Sequence, residues 1–509
     1  MPVPELTRLA RRGLEILRHE GPEGVWARVQ RRLSSDQRKI LARYPAWIAH
    51  EERTRPPSST RLVSIVTPVK DPPLEVLRAT ARSVLAQSGA FQWCVADDGS
   101  RQEVRRELSA LAERDSRVRV TLLEASRGIA GATNAALALA RGELVGFLDH
   151  DDLLHEDAVS WMVPPFSDPT VGAAYSDEDK VDASGKRRAP FLKPGFSPDL
   201  LLTCNYVSHF LVVRRRWIDE LGGLRSELDG SQDYDLALRI AEKKTAFVHV
   251  PRVLYHWRTL PGSVAHAASA KPWAYDAARR ALEAALERRG ERGRVEPMPW
   301  LGGWHVVREP SEGWRERVLF HLDEDLEPTP GALEELAAHA LRPDVGLVTP
   351  RVLAWDRTIE SAGLALGFGR HGVAACPFRG RDESDPCYFG LARATRDVSA
   401  VPAGAFAIER RKLRLLGVPA GVVPADLGVA PVHVGVALAL RARALSWRTV
   451  FASEALFRRR STRRHVDSPD EAARARRALP GFDREPHLSP HFVRKKERLE
   501  LPVRPAIVW

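Results

Sequence analysis

The 509-residue sequence is poor in cysteine and has neither a long apolar run nor an apolar signal core near its start. A membrane-spanning helix needs about 20 consecutive apolar residues, and a secretory signal needs an apolar core that Met1 to Arg11 does not have. The cysteines are far apart or lie in apolar and loop contexts, without zinc-ligand spacing or a disulfide framework. They are Cys94, Cys204, Cys376 and Cys387. These absences predict a reduced, cytoplasmic protein without a membrane span.

The charge of the chain is predominantly of one sign, with a formal net charge of +11. Such a balance favours anionic partners, which include nucleotides, acidic glycans and lipid surfaces. Nucleic acid is not expected, because the sequence has no zinc-ligand spacing, RNA-binding aromatic signature or basic recognition helix, and its arginines are spread over the whole length.

Changes of pattern divide the chain into four segments. Residues 1–60 have helical periodicity interleaved with arginines, which predicts amphipathic helices that either pack on the main domain or lie on an anionic membrane surface. Residues 61–295 alternate short apolar runs with helical stretches, as in parallel strands joined by right-handed helical crossovers. Residues 296–460 resemble part of that unit, and residues 461–509 predict a basic tail with a helix near Pro469.

Polar residues collect where the predicted strands of the first unit end. Asp71 follows the first strand, Asp97 and Asp98 follow the second, and Asp149 to Asp152 follow the fourth. Ligands of open α/β sheets bind beyond the carboxyl ends of the strands. The sequence therefore predicts a ligand site at this edge.

The run from Phe147 to Asp152 places three carboxylates in four positions directly after an apolar strand. At an effective dielectric near 20, two carboxylates about 4 Å apart repel by roughly 4 kcal/mol, and a divalent ion removes that cost. Mg²⁺ or Mn²⁺ takes one or two carboxylates and completes its shell with water and phosphate oxygens. The alternative is a solvated acidic turn.

The first predicted turn lacks the glycine-rich phosphate loop of a dinucleotide fold, because it has Pro68-Val69-Lys70-Asp71-Pro72-Pro73 instead. A cation at Asp149 and Asp151 is then the better candidate for neutralising a pyrophosphate. The earlier aspartates could accept hydrogen bonds from a base and a ribose, so the expected ligand is a nucleotide that carries a leaving group.

Seven motifs between Val63 and Arg258 occur in an order that resembles the family 2 glycosyltransferases of the GT-A fold, especially bacterial enzymes of O-antigen and rhamnan-type polysaccharide assembly. The motifs are VSIVTPV at 63–69, ADDGS at 96–100, GIAGATN at 128–134, LDHDD at 148–152, YSDEDK at 175–180, GSQDYDLALR at 230–239 and VLYHWR at 253–258. The resemblance implies a GT-A domain, with a Rossmann-like and mostly parallel sheet, over residues 61–295.

The resemblance also implies roles for individual residues. Asp233 matches the general base, and Asp149 and Asp151 match the metal-binding pair, with His256 at the position of a histidine near the metal and diphosphate. The implied donor contacts are Pro68, Asp71, Asp97, Asp98, Asn134 and Asp149. Gln232 departs from the acidic residue that often precedes the base. The alternatives are a helix N-cap for Asp233, a core histidine for His256 and a turn role for Asp97 and Asp98.

The chain then repeats part of itself, since the stretch Arg317 to Leu326 is similar to Glu143 to Asp152 and aligns Asp323 and Asp325 with Asp149 and Asp151. In the same register Gly435 stands where Asp233 stands, and Arg458 where His256 stands. Residues 62–140 have no counterpart. The hypothesis is a degenerate, non-catalytic GT-A-like half that shields a sheet edge or helps to bind an acceptor glycan. The alternative is an unrelated α/β segment.

The predicted function is a metal-dependent, inverting transfer of a sugar from a nucleotide diphosphate, such as a UDP- or dTDP-sugar, to a hydroxyl of a cell-surface polysaccharide or lipid-linked glycan. The expected cofactor is Mg²⁺ or Mn²⁺. The expected location is the cytoplasm, with peripheral contact at the inner face of the cell membrane as a further possibility. The first alternative is a nucleotidylyltransferase, but such an enzyme would need a glycine-rich basic loop after the first strand. This sequence does not have that loop. A non-catalytic glycan-binding or scaffolding protein is the second alternative.

Overall fold

A computed structural model describes residues 35–259, 272–300, 302–385, 387–419, 423, 427–462, 467–494 and 498–502. Its first described element is helix α1 (Ser35–Glu51), so the helices predicted before residue 35 lie outside the described residues. Tyr44 and Trp47 of α1 are buried, and the Tyr44 hydroxyl donates to Asp179 Oδ2 at 2.5 Å. Of the two alternatives for this segment, the structure shows packing on the main domain for residues 35–51.

The first unit is an α/β domain built on a mixed sheet that has nine strands in the described residues. Its strands are β1 (Val63–Val69), β2 (Phe91–Asp97), β3 (Val118–Leu122), β4 (Leu144–Phe147), β5 (Leu153–Leu154), β6 (Val171–Val181), β7 (Arg187–Phe191), β8 (Leu211–Arg214) and β9 (Ala246–Arg258). They follow the order β3-β2-β1-β4-β8-β6-β9-β5, with β7 beside β6. The predicted α/β class is confirmed.

Strands β1 to β4 are parallel to one another, as the alternating pattern predicted. Strand β8 runs antiparallel to β4, with Gly146 opposite Val212. The chain therefore enters β8 at the same edge where β4 ends. This places the loop before β8 beside the acidic run that follows β4.

Helices pack on this sheet, and α2 (Leu74–Leu85) buries one side. In this helix Val76, Leu77, Ala81 and Val84 are buried at helical spacing. The helices of the first unit are α2 (Leu74–Leu85), α3 (Gln102–Arg114), α4 (Gly128–Ala138), α5 (Ala158–Met162), α6 (Pro198–Thr203), α7 (Arg215–Glu220), α8 (Gln232–Ala241) and α9 (Pro272–Arg289).

A second sheet follows a short hairpin of β10 (Gly293–Pro297) and β11 (Trp304–Arg308). Its strands are β12 (Val318–Leu322), β13 (Leu326–Pro328), β14 (Val345–Leu353), β15 (Ile359–Ser361), β18 (Arg396–Asp397), β19 (Ala405–Glu409) and β20 (Arg448–Arg459), while β16 (Ala365–Leu366) and β17 (Ala374–Ala375) pair separately. The helices are α10 (Trp314–Arg317), α11 (Ala332–Ala340), α12 (Arg410–Leu415), α13 (Val434–Ala444) and α14 (Pro469–Ala478).

The second sheet repeats the strand order of the later half of the first sheet. It runs β12-β19-β14-β20-β13, where the first runs β4-β8-β6-β9-β5. The register is repeated as well, because Val345 pairs with Arg448 as Val171 pairs with Ala246, and Val352 pairs with Phe457 as Glu178 pairs with Tyr255. In the described residues β12 is an edge strand, and no strands take the places of β1 to β3.

The two units share a core and a buried ionic contact. Asp199 on α6 lies 2.6 Å from Arg342 and 2.5 Å from Arg448, and Arg448 lies 2.5 Å from Asp397. Burial alone would raise the pKa of Asp199, but the two guanidinium groups hold it well below its usual value. After α14 the chain returns to the first unit, where His491 Nε2 lies 2.7 Å from the Pro251 carbonyl.

In the part of the chain that the structure describes, no helix combines the length and the apolar character needed to cross a bilayer.

Candidate active site

The acidic loop after β4 contains a compact group of carboxylates. Ligand oxygens of Asp149, Asp151 and Asp152 lie within 4.8 Å of one another, the one such group of three or more potential metal ligands among the described residues. Asp152 is already used, because it accepts from the Tyr255 hydroxyl at 2.6 Å and from the Arg258 amide at 2.8 Å. Asp149 and Asp151 are half-buried, and in the described part of the chain their carboxylates accept no hydrogen bond and form no ion pair.

The electrostatics of this loop fit a divalent cation. Burial raises the pKa of Asp149, the charges of Asp151 and Asp233 raise it further, and the charge of His209 opposes them. Burial and the charges of Asp149 and Asp151 likewise raise the pKa of Asp152 well above its usual value. Two open carboxylate ligands with uncompensated charge are the donor set that Mg²⁺ or Mn²⁺ takes from proteins. The residues present therefore fit such an ion.

The loop is held from behind by Arg258. Its guanidinium donates to the backbone oxygen of Asp151, to Val76 O at 2.9 Å and to Thr80 Oγ1 at 2.7 Å. Thr80 in turn donates to the His150 carbonyl at 2.9 Å. These bonds fix the backbone and leave the carboxylates of Asp149 and Asp151 to face the edge of the sheet.

His209, which sequence reasoning missed, lies beside this loop at the entrance to β8. Its Nδ1 is 3.4 Å from Glu178 Oε2, and its ring stacks on Tyr255 with centroids 4.8 Å apart. Burial would lower the pKa of His209, but Glu178 and then Asp149 reverse this effect and raise it to about 9. His209 is therefore a fixed cation at neutral pH.

Glu178 and Lys193 complete this buried group. Lys193 Nζ lies 3.0 Å from Glu178 Oε2 and donates to the His209 carbonyl at 2.7 Å. Burial would raise the pKa of Glu178, but Lys193 and His209 lower it to about 2. No local sequence pattern indicates these contacts, because they depend on the antiparallel pairing of β8 with β4 and β6.

Asp233 lies in the first turn of α8 and is half-buried. Its Oδ2 accepts from Asn205 Nδ2 at 2.9 Å, and its negative charge contributes to the raised pKa of Asp149. Ser231, and not Asp233, occupies the N-cap of α8. The charge of Asp233 thus acts on the acidic loop.

The side chain of His256 on β9 contacts Asp179 in the structure. Side chains alternate between the two faces of a strand, and Tyr255 contacts the acidic loop through Asp152 and the Asp149 amide, while Arg258 at the end of β9 contacts its backbone at Asp151. His256 faces the other way, where its Nδ1 lies 2.7 Å from Asp179 Oδ1. Its predicted place near the metal and diphosphate stays a prediction.

The carboxylates after β1 and β2 are brought together at the adjoining part of the edge. The Arg101 amide donates to Asp71 at 2.7 Å, and the Ser100 amide donates to Asp97 at 3.2 Å. Asp71 keeps 42% of its side chain exposed, whereas Asp97 is fully buried. The Pro68 carbonyl, 3.1 Å from His150 Nδ1, links this region to the acidic loop.

Asp98 is the most strongly held of these carboxylates. It accepts from Ser126 Oγ and from the Arg127 amide, both at 2.6 Å, and lies 3.3 Å from Lys70 Nζ. Burial would raise the pKa of Asp98, but these hydrogen bonds and the ammonium lower it overall. Asp98 is therefore ionised and fixed in orientation.

Asn134 on α4 is bonded to the backbone of Leu224. Its Nδ2 donates to the Leu224 carbonyl at 2.8 Å, and its Oδ1 accepts from the Leu224 amide at 2.9 Å. Both ends of the amide are used to join α4 to the segment after α7. The predicted donor contact of Asn134 stays a prediction.

The equivalent acidic loop in the second unit is neutralised by an arginine. Arg459 lies 2.9 Å from Asp323, 2.5 Å from Asp325 and 2.7 Å from Glu360. By the shared register Arg459 takes the place of Trp257, and Gly404 takes that of His209. Gly404 has no room for a side chain, since a Cβ would lie 2.1 Å from Asp323 Oδ1.

A parallel α/β half with an acidic loop at its carboxyl edge is the arrangement of a GT-A domain. The family profile described as "Glycosyl transferase family 2" matches residues 64–222. Over these residues the chain matches the family 2 glycosyltransferases. This finding confirms the resemblance that the seven motifs predicted.

Three curated bacterial proteins are similar to this chain. "O-antigen biosynthesis protein RfbC" of Myxococcus xanthus is 31% identical over 480 residues, covering 76% of this chain and 37% of RfbC. "Uncharacterized protein y4gI" of Sinorhizobium fredii is 30% identical over 508 residues, covering 82% of this chain and 55% of y4gI. The Escherichia coli protein WfgD, named "UDP-Glc:alpha-D-GlcNAc-diphosphoundecaprenol beta-1,3-glucosyltransferase", is 38% identical over 133 residues, covering 25% of this chain and 51% of WfgD. The chain thus spans about half the length of these relatives or less.

Proposed function

We propose that the first unit is a metal-dependent, inverting glycosyltransferase that moves a sugar from a nucleotide diphosphate to a hydroxyl of a surface polysaccharide or lipid-linked glycan. One observation carries the proposal. Asp149 and Asp151 keep open carboxylates beside Asp233, whereas the matching pair in the second unit is bound by Arg459.

In this proposal Asp149 and Asp151 hold Mg²⁺ or Mn²⁺, which when bound offsets the negative charge of the departing diphosphate. The cationic ring of His209 adds fixed positive charge next to Asp149. Tyr255 and Arg258 keep the loop in place through Asp152. Fixed charges of this kind act without reorganisation during the reaction.

Asp233 is the proposed general base. It takes the proton of the acceptor hydroxyl as that oxygen bonds to the anomeric carbon and the bond from this carbon to the diphosphate oxygen breaks, so that the nucleoside diphosphate leaves. A positioned base contributes about 10²- to 10⁴-fold to such a step. Asn205, which donates to Asp233 Oδ2, orients the carboxylate.

The donor is proposed to be a UDP- or dTDP-sugar. Asp71, the exposed carboxylate of the edge, would contact the nucleoside, with Asp98 fixed beside it by Lys70 and Ser126. Asp97 is buried and would act by shaping the loop that Ser100 begins. The names of WfgD and RfbC support a nucleotide-sugar donor and a polysaccharide or lipid-linked acceptor.

The test is a mass-spectrometric screen of UDP- and dTDP-sugars for transfer or hydrolysis, with and without Mn²⁺. We expect Mn²⁺-dependent turnover that is lost in Asp149→Asn/Asp151→Asn and kept in the matched pair Asp323→Asn/Asp325→Asn. Turnover that survives the first double substitution would refute the proposal. A protein that binds glycan and shows no Mn²⁺-dependent shift in melting temperature with UDP would instead be a scaffold.

A further inference from the structure

Two phenylalanines from different units form a stacked pair at the seam between them. Phe191 ends β7 of the first unit, and Phe389 belongs to the second unit. Their rings are parallel within 18° and their centroids are 4.1 Å apart. The neighbouring Tyr388 fixes this arrangement, because its hydroxyl donates to the Pro190 carbonyl and accepts from the Leu192 amide, both at 2.9 Å. The second unit is therefore hydrogen-bonded to the backbone on both sides of Phe191.

Phe389 is partly exposed to solvent. It is 39% exposed, whereas Tyr388 next to it is 1% exposed. Phe389 also has φ 48° and ψ 34°, a left-handed conformation that costs a residue with a side chain of the order of 1 kcal/mol or more. Simple packing of the seam needs neither this conformation nor an exposed ring. Such conformations are frequent at ligand-binding positions.

The pair lies on the catalytic face of the first sheet. Phe191 pairs with Glu178 across β7 and β6, and Glu178 pairs with Tyr255 across β6 and β9, so the three side chains share one face. Strands are about 4.8 Å apart, which puts Phe191 roughly 10 Å from the Tyr255 position. Tyr255 contacts the acidic loop. An acceptor that reaches Asp233 has this surface within reach of its next sugar rings.

The chemistry of the surface is that of a sugar-binding site. A flat apolar ring lies next to the Glu178 carboxylate, which is 14% exposed: the buried Lys193 Nζ is 5.8 Å from the Phe191 ring centroid and 3.0 Å from Glu178 Oε2. A pyranose presents a flat face of C–H groups to a ring and hydroxyls to the polar groups around it. Pockets that combine aromatic walls with a few placed polar groups are typical of specific ligand sites.

We propose that the Phe191–Phe389 pair is a platform for a pyranose ring of the acceptor glycan, and that the second unit supplies its outer ring. The inference rests on the proposed function for the identity of the ligand. It assigns to the non-catalytic unit a direct part in acceptor binding.

Saturation-transfer NMR tests the platform without requiring turnover. The probes are the methyl glycosides of glucose, galactose, N-acetylglucosamine and rhamnose, added to the full chain. We expect saturation of ring C–H protons in at least one probe for the wild type and for Phe389→Trp, which keeps a ring. Phe389→Leu keeps apolar volume without a ring, and we expect its affinity to fall about five-fold. The matched control is Trp355→Leu, which removes a more exposed aromatic ring of the same unit, 60% exposed, and should leave binding unchanged.

Several results would overturn the platform. These are equal affinity in Phe389→Leu and wild type, no binding of any of the four probes to the wild type, or a wild-type dimer by light scattering that Phe389→Leu converts to monomer. Thermal denaturation checks that each variant folds. The shift in melting temperature with Mn²⁺ and UDP is recorded on the same samples, and its absence in the wild type would count against the donor site alone.

Discussion

The two α/β units use one strand order and one register but neutralise their acidic loops in opposite ways. In the first unit the carboxylates of Asp149 and Asp151 are open, and in the second Arg459 binds both Asp323 and Asp325. A bound ion and a buried guanidinium are alternative solutions to the same repulsion between carboxylates. The second unit therefore has the same backbone arrangement, with a permanent cation at the place where we propose an exchangeable one in the first unit.

The side chains around the acidic loop also differ between the two units. The polar row of the first unit becomes apolar or small in the second, where Val352 replaces Glu178, Phe457 replaces Tyr255 and Gly404 replaces His209. Gly435 stands at the position of Asp233, and a Cβ there would lie 2.2 Å from the Val401 carbonyl oxygen. A single substitution could not restore a base at this position, because the backbone of Val401 occupies the space that a side chain would need.

The largest expected effect comes from replacing the proposed general base, Asp233, which the second unit does not have. Asp233→Asn should lower transfer by about 10²- to 10⁴-fold, since the amide cannot take the proton of the acceptor hydroxyl. Binding of UDP with Mn²⁺, measured by calorimetry, should stay within a few-fold of wild type. Transfer by Asp233→Asn at the wild-type rate would break the assignment of the base.

The next effect concerns stability in the second unit. Arg459→Met leaves three carboxylates around an apolar side chain, and breaking such a buried ionic group costs about 3 kcal/mol of unfolding free energy. The matched Trp257→Met in the first unit should cost less, because it removes a cation–π contact with Lys180 Nζ, 4.4 Å from the ring centroid, and breaks no salt bridge. Urea unfolding curves measure both changes. Equal losses would mean that Arg459 is not the permanent cation described above.

A smaller effect is expected in the pH dependence of the first unit. Protons compete with the cation for Asp149, and because its pKa is raised, the affinity for Mn²⁺ with UDP should begin to fall at a higher pH than for an ordinary carboxylate. His209→Gln removes the charge that opposes this rise, so its affinity should fall at a still higher pH. Calorimetry between pH 5 and pH 8 measures both profiles, with His155→Gln as control. Coincident profiles for His209→Gln and wild type would contradict the placement of His209.

The smallest effect tests the structural role of Asn134. Asn134→Ala leaves the Leu224 amide and carbonyl without their partner, at a cost of about 1–3 kcal/mol in stability. The affinity for UDP with Mn²⁺ should not change. A loss of nucleotide affinity with unchanged stability would restore Asn134 to the donor site.

Much of this fold follows from the sequence. The alternation of apolar runs and helical stretches from Leu62 predicts β1 to β4 and their parallel order, and the internal similarity predicts that Asp323, Asp325, Gly435 and Arg458 stand at the positions they occupy. What the sequence could not supply is which face a strand residue points to. His256 and Tyr255 are neighbours, and only the pairing of β9 with β5 and β6 decides that Tyr255 contacts the acidic loop.

Contacts between distant segments were also beyond the sequence. His209 and Glu178 meet Asp149 because β8 runs antiparallel to β4 and β6, which no local pattern indicates. The amide of Asn134 was assigned to the ligand because it closes a motif, yet the backbone of Leu224 takes both of its ends. The sequence likewise does not show whether Arg458 or its neighbour Arg459 points to the acidic loop, as it does not for Tyr255 and His256.

The central claim is that only the first unit binds a divalent cation with a nucleoside diphosphate, and counting bound Mn²⁺ tests it most directly. Electron paramagnetic resonance titration in the presence of UDP should give one Mn²⁺ per chain in the wild type and in Asp323→Asn/Asp325→Asn, and none in Asp149→Asn/Asp151→Asn. Two ions per chain in the wild type, or one ion that persists without Asp149 and Asp151, would contradict the account.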